Sequence, residues 1–295
     1  MTTAKLFGCG TALVTPFRAD GSVDETALRA LVDWQIAEGV HFLVPCGSTG
    51  EAATLTPDEH RRVVEIVVEQ ARGRVPICAG AGSNDTKKAI AMSATMQEAG
   101  ATHLLHVSPM YNRPPQRGIV AHFRAIAEST DLPIVVYNVP GRTASNIEAA
   151  TTLELASLRG IVAVKEASGN LAQISEIARD RPANFALLSG DDSFTLSVMA
   201  LGEEGIISVV SNAIPGPLAA LCNAALAGNW TEARALHHRL TPFMTAAFVE
   251  SNPIPVKAAL AMLGRIQNVL RLPLVPLLAQ HEARVRAGLA AAGAL

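Results

Sequence analysis

Short apolar runs separated by stretches of helical period occupy most of the chain. Eight runs carry the pattern: TALVTPF (11–17), HFLVPC (41–46), VPICAG (75–80), HLLHVSP (103–109), PIVVYNVP (133–140), IVAVKEAS (161–168), NFALLSG (184–190) and GIISVVS (205–211). From the second onward their starts lie 34, 28, 30, 28, 23 and 21 residues apart. Each interval holds one strand, one helix and two short loops. Runs that are continuously apolar predict strands buried on both faces, as in a parallel sheet covered by helices.

The polar punctuation agrees. Asp24 precedes ETALRALVDWQIAEG, which sets Leu28, Leu31 and Trp34 on one stripe and stops at Gly39. Thr56-Pro57-Asp58-Glu59 places a cap and a first-turn proline ahead of Val63, Val64, Val67 and Val68. Asn84 is expected to open DTKKAIAMSATMQEAG, which again ends in glycine. Eight near-equal βα units favour closure, so the expected fold is α/β, a (β/α)8 TIM barrel. No glycine fingerprint for a dinucleotide follows the first strand.

The rhythm breaks near residue 225. WTEARALHHRLTPFMTAAF (230–248) predicts a helix with apolar Trp230, Ala233, Leu236, Leu240, Phe243 and Phe248, kinked at Pro242. A second helix is expected from Pro255 to Gly264 and a third over about 277–291. Residues 1–225 are therefore expected to form the barrel, and 226–295 a C-terminal helical extension that covers its flank or helps build an oligomer.

Composition narrows the function. Of 295 residues, 49% are hydrophobic and 17% charged, which excludes a disordered chain. A net charge of −2 offers no electrostatic footprint for nucleic acid or an anionic membrane. No apolar run reaches the length of a membrane span, and MTTAKLFGCG lacks the apolar stretch of a leader. Cys9, Cys46, Cys78 and Cys222 show no paired spacing and are expected to be buried free thiols in a cytoplasmic protein.

In a barrel of this type chemistry sits at the C-terminal ends of the strands. The chain has five lysines, and four of them (Lys5, Lys87, Lys88 and Lys257) lie in terminal, loop or helix-like settings. Lys165 ends the run IVAV and by alternation shares a face with Ile161 and Ala163. Facing inward, it would be a desolvated amine of lowered pKa, the nucleophile that forms an imine with a ketone. The alternative is a core lysine paired with a carboxylate, although Glu166 should point to the opposite face.

The two tyrosines, Tyr111 and Tyr137, end the fourth and fifth runs, and Tyr137 should flank Lys165 as its acid/base. An aromatic filler is the competing reading. Arg142 in NVPGRT could clamp a carboxylate or simply be solvated. The loop CGSTGE, with Ser48 and Thr49, could hold a carboxylate and relay protons, or be only a turn. His103 and His106 should face opposite ways, and no HExxH or CxxC motif suggests a metal. Asp191-Asp192 after the seventh run reads as a helix cap.

Five segments together resemble one family: GSTGEAATLTPDEH (47–60), SPMYNRPPQ (108–116), YNVPGRT (137–143), VKEASG (164–169) and LSGDD (188–192). They are similar to the 4-hydroxy-tetrahydrodipicolinate synthases, within the pyruvate-dependent Schiff-base lyases related to N-acetylneuraminate lyase. The resemblance runs from about residue 5 to about 290. It implies that Lys165 forms an imine with pyruvate and that Tyr137 is the acid/base. Thr49 would link Tyr137 to Tyr111 of a neighbouring subunit, with Ser48 standing where threonine is common. Arg142 would bind the carboxylate of L-aspartate 4-semialdehyde. Ile207, through its carbonyl, and Gly190 would line the pocket.

The resemblance further implies a homotetramer built as a dimer of dimers and no metal or organic cofactor. Positions matching the family's lysine-feedback pocket carry Met110, Lys88, Ala52 and Pro57, with Asn84 and His60 retained. The like charge of Lys88 implies weak or absent inhibition by L-lysine. Rival readings are another pyruvate-dependent aldolase, acting on a 2-keto-3-deoxy sugar acid, and a barrel kept as a binding module.

Overall fold

The computed structural model describes residues 5–295, so the first four residues of the expected barrel lie outside the described residues. Eight strands follow the apolar runs: β1 (Gly8–Ala12), β2 (Phe42–Val44), β3 (Cys78–Gly80), β4 (His103–Val107), β5 (Ile134–Asn138), β6 (Ile161–Glu166), β7 (Ala186–Ser189) and β8 (Gly205–Ser208). All pairings are parallel, in the order β2-β1-β8-β7-β6-β5-β4-β3. The ring closes where Leu43 bridges Ile77 and the Gly80 amide donates to the Pro45 carbonyl at 2.9 Å. This is the (β/α)8 barrel that the spacing implies.

Alternation divides the strand side chains between two apolar clusters. Phe42, Val44, Leu105, Val135, Leu188 and Ile207 fill the barrel interior. Leu43, Leu104, Val136, Val164, Leu187 and Ile206 face outward and merge with the helix layer. Asp24 accepts from the Ala27 amide, and Thr56 forms a reciprocal capping box with Glu59. The helix Thr86–Glu98 is capped by Asp85 rather than Asn84, whose side-chain amide instead donates to the Met110 carbonyl at 3.2 Å.

Two strand details depart from the sequence pattern. β1 begins at Gly8, three residues before the apolar run that suggested it, because glycines open the strand. A Cβ on Gly10 would lie 2.1 Å from the Phe42 ring, so this position has to remain bare for the interior to fill. The second departure is a bulge in β6 opposite Ile134 and Val135. Ile161 consequently belongs to the outer cluster, while Val162 and Ala163 pack inside. Lys165 shares its face with Ala163 and not with Ile161, since the extra residue shifts the alternation by one.

Helices Trp230–Ala246, Ile254–Met262 and Ala279–Ala292 make up the C-terminal part. Leu240, Phe243, Val285 and Leu289 join the same apolar cluster as the outer barrel face. The first of these helices continues through Pro242. Trp230 and Phe248, expected on its apolar stripe, are exposed because they lie at or beyond the helix ends. All four cysteines are buried and unpaired. Among the described residues no helix is long and apolar enough to cross a membrane.

Two strand glycines meet backbone equally closely, Gly80 against the Cys46 carbonyl oxygen and Gly205 against that of Gly8, a virtual Cβ lying 2.0 Å away in each; Gly205 also has φ of +149°. Gly205→Ala should destabilise the protein by roughly 3 kcal/mol or more, because backbone cannot yield as a side-chain tip can. A urea titration should show a lower midpoint at unchanged slope. Wild-type stability in that variant would contradict the β1–β8 approach.

Candidate active site

Lys165 lies on the inner face of β6, in register with Tyr137 on β5 and Leu188 on β7. The side chain is buried, and Nζ sits 4.1 Å from the centre of the Tyr137 ring. Room for its stem comes from Gly190. A Cβ at that position would lie 3.0 Å from Lys165 Cε and 3.1 Å from Cγ. Burial pushes the amine's pKa down to about 8; Asp192 pulls it up and Arg142 lowers it further. Burial raises the Tyr137 phenol to about 12, against the opposing pull of Arg142, so it keeps its proton near neutrality.

The second buried lysine provides the contrast. Lys257 pairs with Glu51 at 2.6 Å, both side chains being fully inaccessible, although its helix-like setting in the sequence marked it as ordinary. Among the described residues Lys165 makes no ion pair. Glu166, its neighbour in sequence, points the other way as expected. Its carboxylate accepts from Asn138 Nδ2 at 3.0 Å, Gln173 Nε2 at 3.2 Å and the Ser168 amide at 2.6 Å.

A cavity of about 120 Å³ opens beside the Lys165 amine, lined by Ser48, Thr49, Tyr137, Arg142, Gly190 and Asn252, among others. Thr49 belongs to a single 3-10 turn, Ser48–Gly50, at the end of β2, and its hydroxyl accepts from Asn252 Nδ2 at 2.9 Å. Arg142 sits in the short helix Pro140–Thr143 after β5 and reaches the Asn252 carbonyl at 3.5 Å. The structure therefore gathers Lys165, Tyr137, Ser48, Thr49, Arg142 and Gly190 at one mouth.

Two expected residues stand apart. Ile207 is wholly buried on the inner face of β8, and Val209 rather than Ile207 borders the cavity. Tyr111 is 90% exposed at φ of +70° and lies outside the cavity of its own chain. A wider cleft of about 580 Å³ lies at the opposite end of the barrel, lined by Gln97, Arg124, Asp131 and Arg159 among others. It contains no lysine.

Sequence reasoning missed three contributors. Asp191 caps as expected, accepting from the Ser193 amide at 2.9 Å. Asp192 does not. It is buried and accepts from Ser208 Oγ and from the amides of Val209 (3.0 Å) and Val210 (3.3 Å), joining the ends of β7 and β8. Burial raises its pKa to about 6, against the opposing effect of those hydrogen bonds. One cap needs one acid, so the second aspartate was the available signal. Phe248 and Asn252 reach the cavity from the C-terminal extension, and nothing local in the sequence announces that. Among the described residues no group of three or more His, Cys, Asp or Glu side chains is arranged to hold a metal ion.

Comparison with known proteins identifies the family. Residues 5–292 match the Dihydrodipicolinate synthetase family. The chain is 52% identical over 292 residues to the 4-hydroxy-tetrahydrodipicolinate synthase of Koribacter versatilis (strain Ellin345), covering 99% of this chain and 97% of that one. The crystal structure of dihydrodipicolinate synthase from Thermotoga maritima superposes with a TM-score of 0.97 at 40% identity, covering 99% of this chain and 100% of that one. The corresponding structure from Aquifex aeolicus gives 0.94 at 42% identity, with 97% of each chain covered. With an unpaired amine on the sixth strand, a phenol beside it and full-length similarity of this order, the chain belongs to the dihydrodipicolinate synthetase family.

Proposed function

We propose that the chain catalyses the reaction of a 4-hydroxy-tetrahydrodipicolinate synthase. It condenses pyruvate with L-aspartate 4-semialdehyde to give 4-hydroxy-2,3,4,5-tetrahydrodipicolinate, a step of lysine and diaminopimelate synthesis. We place this biosynthetic activity in the cytoplasm. The observation that carries the reading is the buried Lys165 amine, without an ion-pair partner among the described residues, 4.1 Å from the Tyr137 ring at the edge of the cavity.

Neutral Lys165 adds to C2 of pyruvate, and the carbinolamine loses water as the Tyr137 phenol delivers a proton to the departing oxygen. The iminium withdraws electrons from the adjacent methyl group, which gives up a proton to form the enamine. That carbon attacks the semialdehyde's aldehyde, whose oxygen is protonated as the new carbon–carbon bond forms. The substrate's own amine then adds to the iminium carbon, releases Lys165 and closes the six-membered ring. The lysine supplies the electron sink, so the chemistry calls for no organic cofactor or metal.

Thr49, with Ser48 beside it, relays protons from Tyr137, and the turn they occupy receives the pyruvate carboxylate. Arg142 pairs with the carboxylate of the semialdehyde. Gly190 gives the imine space, and Val209 in place of Ile207 borders it on the β8 side. Tyr111 completes the relay in the site of a neighbouring subunit, within a homotetramer arranged as a dimer of dimers; its exposed phenol suits that role. A cavity of about 120 Å³ with an arginine at its rim fits a short aldehyde acid better than a 2-keto-3-deoxy sugar acid.

Borohydride added with pyruvate should fix one pyruvate-derived group per chain, read by mass, and Lys165→Ala should take up none. An equal adduct in both proteins would remove the assignment. Because the Lys165 pKa is lowered to about 8, the trapping rate should climb roughly tenfold per pH unit at lower pH and level off above pH 8. Asp192→Asn removes a charge that raises that pKa, so the midpoint should move to lower pH; a shift upward would contradict the electrostatic assignment. Arg142→Ala should raise KM for the semialdehyde at least tenfold while leaving pyruvate trapping near wild type. Matching losses in both would show that Arg142 does not select the second substrate.

A further inference from the structure

The proposed reaction leaves the buried pair Glu51 and Lys257 without a task. Glu51 directly follows the turn that carries Ser48 and Thr49, and its backbone is left-handed, at φ of +53°. Its Oε1 accepts from Lys257 Nζ at 2.6 Å, and its Oε2 accepts from the Arg271 amide at 3.1 Å. Lys257 also donates to the Thr15 carbonyl at 3.0 Å and lies over the Phe17 ring at 4.3 Å. Thr15 in turn donates its hydroxyl to the Gly50 carbonyl at 2.7 Å. The C-terminal end of the turn is thus fastened twice to the same ammonium, directly through Glu51 and indirectly through Thr15 and Gly50.

Five residues before Lys257, Asn252 donates to the Thr49 hydroxyl, and its carbonyl meets Arg142. The segment that carries Lys257 therefore touches two residues of the site. A buried ion pair is weak evidence for stability, since apolar replacements of similar volume are often as stable. What it does impose is direction, because the carboxylate and ammonium have to meet in one geometry with their other hydrogen bonds satisfied.

The geometry points to Glu51 and Lys257 as positioning residues for the reaction: their ion pair fixes the Ser48–Thr49 turn against the C-terminal extension, which sets the hydroxyls beside Tyr137. This rests on the Schiff-base reading above. Neither residue touches the cavity, and both act through Thr49 and Asn252.

The test is the double variant Glu51→Gln/Lys257→Met, which removes both charges at similar volume, assayed for melting temperature, pyruvate trapping and steady-state turnover. The expected protein melts within a few degrees of wild type and reaches the same final pyruvate adduct at Lys165. It forms that adduct at least tenfold more slowly and loses kcat to match. Thr49→Val should slow wild type by at least tenfold but slow the double variant by no more than twofold, because the hydroxyl is already misplaced there. Equal penalties from Thr49→Val in both backgrounds, or wild-type kcat in the folded double variant, would overturn the positioning role.

If the double variant does not fold, Glu51→Asp decides the matter. It keeps both charges but shortens the reach of the carboxylate, so kcat should fall at least threefold with a complete final adduct; an unchanged kcat would overturn the proposal. Absence of a pyruvate adduct in wild type would instead overturn the Schiff-base reading on which the proposal rests.

Discussion

An ammonium withdrawn from water without a counter-charge is costly by several kcal/mol, and the rest of this site is organised around that cost. Lys165 is held inside the barrel against an aromatic ring rather than a carboxylate. The imbalance lowers the amine's proton affinity and leaves its lone pair free to react. The one carboxylate adjacent in sequence, Glu166, is kept away by strand alternation and occupied by Asn138, Gln173 and the Ser168 amide. Reactivity here follows from a partner being withheld.

Withholding a partner requires a rigid frame, and three features of the barrel provide it. The β6 bulge sets which residues face inward, so that Ala163 and Lys165 do and Ile161 does not. Gly190 leaves the volume that the lysine stem fills. Asp192 ties the end of β7 to the start of the segment after β8 through three hydrogen bonds, and so holds a single negative charge at longer range. That charge tempers the amine's pKa without pairing with it. A directly bonded carboxylate would push the pKa up and keep the nucleophile protonated.

The barrel was legible because its strands are apolar on both faces and its helices carry clear caps, as at Thr56 and Asp24. Lys165 and Tyr137 were legible because lysine and tyrosine are rare here and each ends an apolar run. The start of β1 was hidden because a strand that yields space to Phe42 is written in glycine. The bulge was hidden because one inserted valine changes the register without changing the composition. Asp192 was mistaken for a cap because burial, not residue type, distinguishes it from Asp191. Phe248, Asn252 and Lys257 belong to the mouth of the barrel only through packing across some two hundred residues of sequence, which local periodicity does not encode.

The two buried lysines show how environment divides one chemistry into two roles. Burial lowers the Lys257 pKa too, but Glu51 pulls it back up, and with a carboxylate and a carbonyl as acceptors the side chain serves as a fixed strut. Lys165 lacks both acceptors and borders the cavity, so the free amine becomes accessible near neutral pH. If the partners were exchanged, a carboxylate beside Lys165 would quench the nucleophile, and an unpaired Lys257 would leave a buried charge at the base of the Thr49 turn. In the proposed reaction the same side chain therefore serves as nucleophile or as anchor according to whether the fold supplies it with an anion. The C-terminal extension brings Lys257 to Glu51 and Asn252 to the Thr49 hydroxyl, so it lines the cavity as well as covering the barrel.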